Sequence, residues 1–161
     1  MTAPASERAR IGALIRQATV GMLLNIDEHG GQMGRPMLPL FLENDPHIYF
    51  LTHQHSRKVI HLTARPQVAL TFISGNCYLV IVGSASTSRD PALVRRLWNP
   101  TYRAWFPGGT DDREAIVLRV TVERVDYWEP PRSRLLRLAQ AIKAIVTRRA
   151  ADTPMKTIDG L

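Results

Sequence analysis

Three polar residues, Ser56, Arg57 and Lys58, lie between an apolar strand pattern and the start of a helix pattern. Free backbone N–H groups point outward at the first turn of a helix, and the helix dipole favours negative charge there. A hydroxyl and two cations at such a place predict a phosphate site. Arg57 would grip phosphate oxygens as a fork, and Lys58 would add a point charge. In isolation, the same three residues are also typical of a solvated helix cap.

The other polar patterns do not predict catalysis by protein side chains. The sequence contains no Ser/His/Asp set, no Walker or dinucleotide glycine fingerprint and no zinc-type cysteine spacing. His53 and His55, with His61 further on, have no carboxylate or cysteine close by in sequence. Surface histidines are therefore favoured over metal ligands, no metal is expected, and the catalytic residues are left unknown.

The periodicity of apolar residues predicts many short strands and few helices. Helices are expected at 7–18, 56–63 and from Pro91 to about Trp98, and strands at 20–27, 32–42, 47–52, 67–74, 76–88 and 115–128. A Gly75-Asn76 turn joins the fourth and fifth strands as a hairpin. Six mostly sequential strands indicate a mainly β fold with flanking helices, an antiparallel barrel rather than a βαβ fold.

The length and charge distribution indicate one domain with a basic end. Of the 161 residues, we assign 1–149 to a single domain that includes a basic helix at about 132–148, and 150–161 to a tail. Residues 132–149 carry six Arg/Lys and no Asp or Glu. This helix could contact an anionic membrane or nucleic acid. Packing on the barrel or on a second subunit, with a wet basic face, is favoured, so neither partner is expected.

The single cysteine, Cys77, rules out an internal disulfide. No basic-then-apolar leader pattern and no apolar run of membrane-spanning length is present. A cytoplasmic location is therefore expected.

Three segments together carry a resemblance to a known family. They are Gly34-Arg-Pro-Met37, Phe50-Leu-Thr followed by Ser56-Arg-Lys58, and the long aromatic stretch from Leu97 to Gly109. With these segments the chain resembles the pyridoxamine 5′-phosphate oxidase-like, FMN-binding split-barrel family, in particular its bacterial general stress protein 26-like branch. The resemblance implies a six-stranded antiparallel split β-barrel that forms a homodimer and binds FMN at the dimer interface.

The resemblance also implies which residues bind the cofactor. Arg35, Ser56, Arg57 and Lys58 would contact the phosphate, and Leu51 and Thr52 would line the isoalloxazine ring. Tyr78 falls where the oxidases place a glutamine beside the flavin. Trp105 is the best candidate for an aromatic side chain that reaches the flavin. Pro36 and Met37, which follow Arg35 on the same strand, complete the predicted cofactor-binding residues.

Two departures from the oxidases limit what the resemblance implies. The oxidases carry a lysine five residues after the strand arginine, where this chain has Leu40, and their C-terminal tryptophan and arginine have no match. We therefore expect a flavin-dependent oxidoreductase acting on an unknown small substrate, with a nicotinamide as a possible reductant, and not a pyridoxamine 5′-phosphate oxidase. The alternatives are a flavin-binding stress protein without turnover, and a split barrel that binds F420, FAD or haem.

Overall fold

The structure is a computed structural model, and it describes residues 5–129 and 155–159. Seven strands and three helices are present in these residues. The helices are α1 (Ala5–Gln17), α2 (Arg57–Ala64) and α3 (Pro91–Leu97), and two 3₁₀ turns span Pro100–Ala104 and Gly109–Asp111. The strands are β1 (Gly21–Ile26), β2 (Gln32–Met37), β3 (Ile48–His53), β4 (Gln67–Ser74), β5 (Cys77–Ser88), β6 (Ala115–Trp128) and β7 (Lys156–Asp159).

The strands form one antiparallel sheet in the order β2-β1-β4-β5-β6-β3, with β7 added to β6. Just beyond β2, Leu40 forms an isolated bridge to Tyr49 of β3, with N–H···O distances of 2.8 and 2.9 Å in the two directions. This bridge brings the two end strands together, although no ladder joins β2 to β3 in the described residues. The sheet is therefore a barrel that is split between β2 and β3, which confirms the predicted fold class.

Alternation of buried and exposed residues along β1, β4 and β5 fills the barrel with aliphatic and aromatic side chains such as Leu23, Leu70, Phe72 and Ile81. β3 differs because five of its six residues are buried. Its second face packs against a smaller cluster that includes residues of α3 and of the first 3₁₀ turn. A strand covered on both faces is mostly apolar, which explains the apolar run from Ile48 to Leu51.

Two elements differ from the sequence-based expectation. β2 ends at Met37 instead of continuing to residue 42, because Pro39 has no N–H to donate and the chain crosses toward β3 at Leu40. Part of the predicted tail forms β7, whose Ile158 is 2% exposed. The predicted basic helix at about 132–148 lies outside the described residues. Within the described residues, no helix is long and apolar enough to cross a membrane.

Candidate functional site

A cavity of about 420 Å³ opens where β2 and β3 part from each other. Its volume lies in the range that small-molecule and cofactor sites occupy. Its walls come from the ends of β2 and β3, from the first turn of α2 and from the 3₁₀ turn after α3. The lining residues are Val20, Pro36, Met37, Leu38, Leu51, Thr52, His53, Lys58, Tyr102, Trp105 and Phe106.

Two buried hydroxyl groups at this site make no hydrogen bond. Thr52 is 3% exposed, and its Oγ1 has no partner among the described residues. The Oγ of Ser56 is likewise buried and unpaired. Ser56 is the N-cap residue of α2, but its side chain does not accept a bond from the helix backbone as an N-cap hydroxyl usually does. Since buried polar atoms are nearly always satisfied, a polar group of a ligand or a water would be expected to pair with Thr52, which lines the cavity, and with Ser56 beside it.

Lys58 lines the cavity, and Arg35 lies near enough to affect its charge. Burial lowers the pKa of the Lys58 ammonium, and the nearby charge of Arg35 lowers it further. Within residues 5–129 and 155–159, no carboxylate forms a salt bridge with either side chain. A bound anion would offset both the desolvation of Lys58 and its repulsion from Arg35.

The side chain of Arg35 forms a hydrogen bond with the buried amide of Asn25. Its Nη1 donates to Asn25 Oδ1 at 3.5 Å, and the other side of the same amide, Nδ2, lies 3.4 Å from Nδ1 of His61. The Nε2 of His61 lies 2.5 Å from a carboxylate oxygen of Glu28. Sequence reasoning missed this arrangement because Asn25 and His61 lie 36 residues apart and neither belongs to a motif.

The far wall of the cavity is aromatic. The hydroxyl of Tyr102 donates to the carbonyl of Leu38 at 3.1 Å, and burial raises the pKa of Tyr102 to about 12, so the phenol stays neutral. The ring of His53 packs on Phe106 with 4.4 Å between centroids. His53 is exposed, as expected of a surface histidine, but its ring also lines the cavity. Trp105 is 50% exposed and stands 6.0 Å from the ring of Tyr102.

The structure brings most of the predicted site residues together. Six of them line the cavity, namely Pro36, Met37, Leu51, Thr52, Lys58 and Trp105. Two more lie beside residues of the lining. Arg35 is close enough to Lys58 to affect its pKa, and Ser56 is the N-cap residue of the helix that carries Lys58.

Two predicted residues are placed differently. Arg57 is exposed in the first turn of α2 and is not part of the lining. Tyr78 is 54% exposed at the start of β5 and does not line the cavity either. In the described residues, no three His, Cys, Asp or Glu side chains come together as metal ligands would.

Comparison with known proteins is in agreement with this architecture. The family model described as "Pyridoxamine 5′-phosphate oxidase like" matches residues 6–152. Protein bli-3 of Neurospora crassa is 25% identical over 114 residues, which cover 65% of this chain but only 54% of that protein.

Two solved structures share the fold. General stress protein 26 from Bacillus anthracis is 18% identical with a TM-score of 0.69, over 78% of this chain and 95% of the other. The general stress FMN/FAD binding protein from Xanthomonas citri is 29% identical with a TM-score of 0.65, over 78% of this chain and 89% of the other. The match over most of its length and the shared split-barrel fold confirm that this chain belongs to the pyridoxamine 5′-phosphate oxidase-like family.

Proposed function

We propose that this chain binds FMN in the cavity between β2 and β3 and acts as a flavin-dependent oxidoreductase on a small substrate. The proposal is carried by Thr52 and Lys58, which line one mostly apolar cavity, together with Ser56 and Arg35 beside them. In the part of the chain that the structure describes, the two hydroxyls have no hydrogen-bond partner and the two cations have no carboxylate in a salt bridge. The relative from Xanthomonas citri is itself described as binding FMN or FAD.

The polar end of the cavity suits a phosphate monoester. Lys58 lines the cavity, and the buried hydroxyl of Ser56 at the start of α2 has no hydrogen-bond partner in the described residues. The first turn of this helix adds backbone N–H groups and the positive end of the helix dipole. Arg35 brings a second charge close to Lys58, and two cations match a phosphate monoester that carries nearly two negative charges.

The rest of the cavity suits a flat ring. Leu51, Met37 and Trp105 give it apolar walls, and the Thr52 hydroxyl offers one hydrogen bond within them. A bound flavin supplies hydride or electron transfer by its own chemistry. The protein residues would hold the ring, keep water from one side of it and fix its phosphate. Because the cofactor performs the redox step, the site requires no catalytic acid or base from the chain.

FMN suits these residues better than the alternatives. F420 would require further contacts for its glutamate tail, and FAD would require contacts for a second phosphate and an adenosine. Haem would require an axial ligand, and His53, the histidine in the lining, packs its ring on Phe106. A site for one phosphate beside one apolar cavity matches the chemical groups of FMN without further contacts.

We further propose that a second copy of this chain covers an apolar face of the sheet. The outward side chains of β1, β4 and β5 include Met22, Leu24, Ile73 and Tyr78, which are 39%, 37%, 66% and 54% exposed. Cross-strand partners share a face, and Ile73 pairs with Tyr78 in the hairpin register. An apolar patch of this kind on a sheet is typical of a protein–protein interface.

This face continues into the cavity, which is why a second copy is the favoured occupant. Met22 pairs with Pro36 in the β1–β2 register, and Pro36 also lines the cavity. Val20, which is 48% exposed, lines the cavity as well and precedes β1 directly. A copy that sits on this face would lie over the cavity mouth and could shield a bound ring. It would also bring residues such as Tyr78 near the partner's cavity.

A ligand screen followed by a reduction assay tests the proposed function. Thermal shift with FMN, FAD, F420, haem and pyridoxal phosphate should give the largest rise in melting temperature with FMN, because a ligand stabilises the state that binds it. The FMN-loaded protein is then mixed with NADH or NADPH without oxygen. Bleaching of the flavin absorbance at catalytic rates would support an oxidoreductase, whereas FMN binding without reduction would favour a flavin-binding protein that does not turn over with these donors. A protein that ignores FMN would contradict the proposal.

A further inference from the structure

A row of side chains leads from the cavity to the surface of the turn between β1 and β2. Arg35 donates a hydrogen bond to Asn25, the amide nitrogen of Asn25 contacts Nδ1 of His61, and Nε2 of His61 contacts the carboxylate of Glu28. Asn25 is 3% exposed and His61 is 7% exposed, so the middle of the row is shielded from water. The Glu28 side chain is 63% exposed. We refer to these four residues as the Glu28–Arg35 row.

The partners of the two buried residues define the position of each proton. The guanidinium of Arg35 can only donate, so the amide of Asn25 must turn its oxygen toward Arg35 and its NH₂ toward His61. The NH₂ group also only donates, so Nδ1 of His61 must accept. The carboxylate of Glu28 can only accept, so Nε2 of His61 must carry a proton. Every contact is satisfied by one form of His61, the neutral ring protonated on Nε2.

A second proton on His61 would break this pattern. It would sit on Nδ1 and face the NH₂ group of Asn25, so that two donors oppose each other. Asn25 can restore that contact by turning its amide over, at the loss of the bond from its Nδ2 to the carbonyl of Ile26, but its NH₂ then faces the guanidinium of Arg35. Arg35 thereby loses the oxygen that holds it beside Lys58.

We propose that His61 is a positioning residue that holds Arg35 in its phosphate-binding place when neutral and releases it when protonated. This inference rests on the proposed FMN site. It assigns a pH-dependent control of flavin affinity to the Glu28–Arg35 row. FMN should be held more tightly near neutral pH than at acidic pH, where the protonated ring would release Arg35.

The charges around His61 come from three elements. Asp27 and Glu28 in the β1–β2 turn lie close enough to the ring for the charge of His61 to contribute to the lowered pKa of both carboxyl groups. The cations of the neighbouring elements are Arg57 and Lys58 on the helix that carries His61, Arg65 directly after that helix, and Arg35 on β2. β4 and β5 contain no charged residue. A hydrogen bond from its own backbone N–H lowers the pKa of the Glu28 carboxyl despite some desolvation, and the His61 ring lowers it further, so Glu28 is ionised throughout this range.

The test compares the pH dependence of FMN affinity in the wild type and in His61→Asn. The side-chain oxygen of the introduced asparagine can take the accepting place of Nδ1 and does not titrate. Flavin fluorescence quenching gives the dissociation constant at about pH 8 and about pH 5.5. Wild type should lose about tenfold more affinity than His61→Asn over this interval, which corresponds to one hydrogen bond to a charged group. The titration of the phosphate itself is common to both proteins and cancels.

Two further variants make the result specific. His47→Asn changes a histidine that pairs with Asp45, outside the row, and should keep the wild-type profile. Glu28→Gln alters an exposed side chain, so folding is retained, and removes the charge that favours the protonated ring. Its loss of affinity should therefore begin at lower pH than in the wild type.

The outcomes separate this inference from the proposed function. A wild type that does not bind FMN at about pH 8 would overturn both. Binding at that pH with the same profile in the wild type and His61→Asn would overturn only the role of His61. Tighter binding by the wild type at low pH would mean that attraction between the protonated ring and the phosphate dominates, and this too would overturn the role proposed for His61.

Discussion

Arg35 and Lys58 approach each other from β2 and α2, and the charge of Arg35 contributes to the lowered pKa of Lys58. Two such neighbours repel each other, and in the described residues no carboxylate forms a salt bridge with either of them. An arrangement that costs free energy in the empty protein is expected where a ligand later supplies the missing charge. This pair therefore provides the most direct tests of the site.

Replacement of Lys58 by Met should weaken FMN binding strongly. The change keeps the length and apolar stem of the side chain but removes the charge that lines the cavity. We expect the dissociation constant to rise by about 10- to 100-fold, the usual range for a lost hydrogen bond to a charged group. Fluorescence titration measures it. Lys156→Met, on β7, removes a lysine that stands over the ring of Tyr127 and should leave the affinity unchanged.

The same Lys58→Met variant should be slightly more stable than the wild type when no ligand is present. The pKa of Lys58 is lowered in the folded chain, so its charged form costs stability in full below that lowered pKa, and the cost falls to zero as the pH rises to the pKa of the unfolded chain. Since the side chain is only partly buried, we expect a rise in melting temperature on the order of 1–2 °C at neutral pH. Scanning fluorimetry without flavin measures the change. A variant that melts lower would contradict a desolvated ammonium at this place.

The lowered pKa of Lys58 also predicts an alkaline limit for FMN binding. Phosphate would bind the protonated amine, and the free protein loses that proton at a lower pH than an ordinary lysine does. The affinity for FMN should therefore decline as the pH rises toward about 10.4, which is the pKa of an ordinary lysine. Lys58→Met should show no such decline, and a decline of equal size in both proteins would contradict this role for Lys58.

Replacement of Thr52 by Val should separate stability from binding. The Thr52 hydroxyl is buried and unpaired, so an isosteric methyl group removes a desolvation cost and should stabilise the empty protein by about 1 kcal/mol. The same change should weaken FMN binding by up to about tenfold if the hydroxyl contacts the flavin. Thr63→Val is the matched control, because the hydroxyl of Thr63 donates to the carbonyl of Val59 at 2.8 Å and does not line the cavity. It should not stabilise the protein, and its affinity for FMN should equal that of the wild type.

Much of the fold could be predicted from local patterns. The Gly75-Asn76 turn fixes the β4–β5 hairpin, and Gly75 adopts the expected positive φ of 59°. The apolar residues of β3 and the polar turn before Ser56 predicted a strand and the start of a helix after it, and both are present. These features depend on neighbours in sequence, so the sequence alone was sufficient to predict them.

Long-range features could not be predicted in this way. β7 has a single buried aliphatic residue, Ile158, and it forms a strand because β6 offers it an edge. Asn25 acquires its role only because α2 packs His61 against β1. Tyr78 was placed by analogy with the oxidases, but in one copy of the chain its side chain faces outward from the sheet. Each of these cases depends on contacts between segments that are distant in sequence.

Replacement of Ile73 by Glu should disrupt the proposed dimer. Ile73 is 66% exposed on the apolar face that Met22, Leu24 and Tyr78 share, and a carboxylate buried there against a second copy would lose its hydration without a partner. Light scattering coupled to gel filtration should show a dimer for the wild type and a monomer for the variant.

Ile60→Glu is the control for this experiment, because Ile60 is 61% exposed but lies on α2 outside the sheet. It should remain dimeric, which would exclude a general effect of added charge. If the dimer also covers the cavity mouth, the Ile73→Glu monomer should bind FMN more weakly and leave the flavin more open to iodide quenching. A wild type that is monomeric at all accessible concentrations would refute the dimer. The FMN site of a single chain would still be tested by the Lys58→Met and Thr52→Val variants.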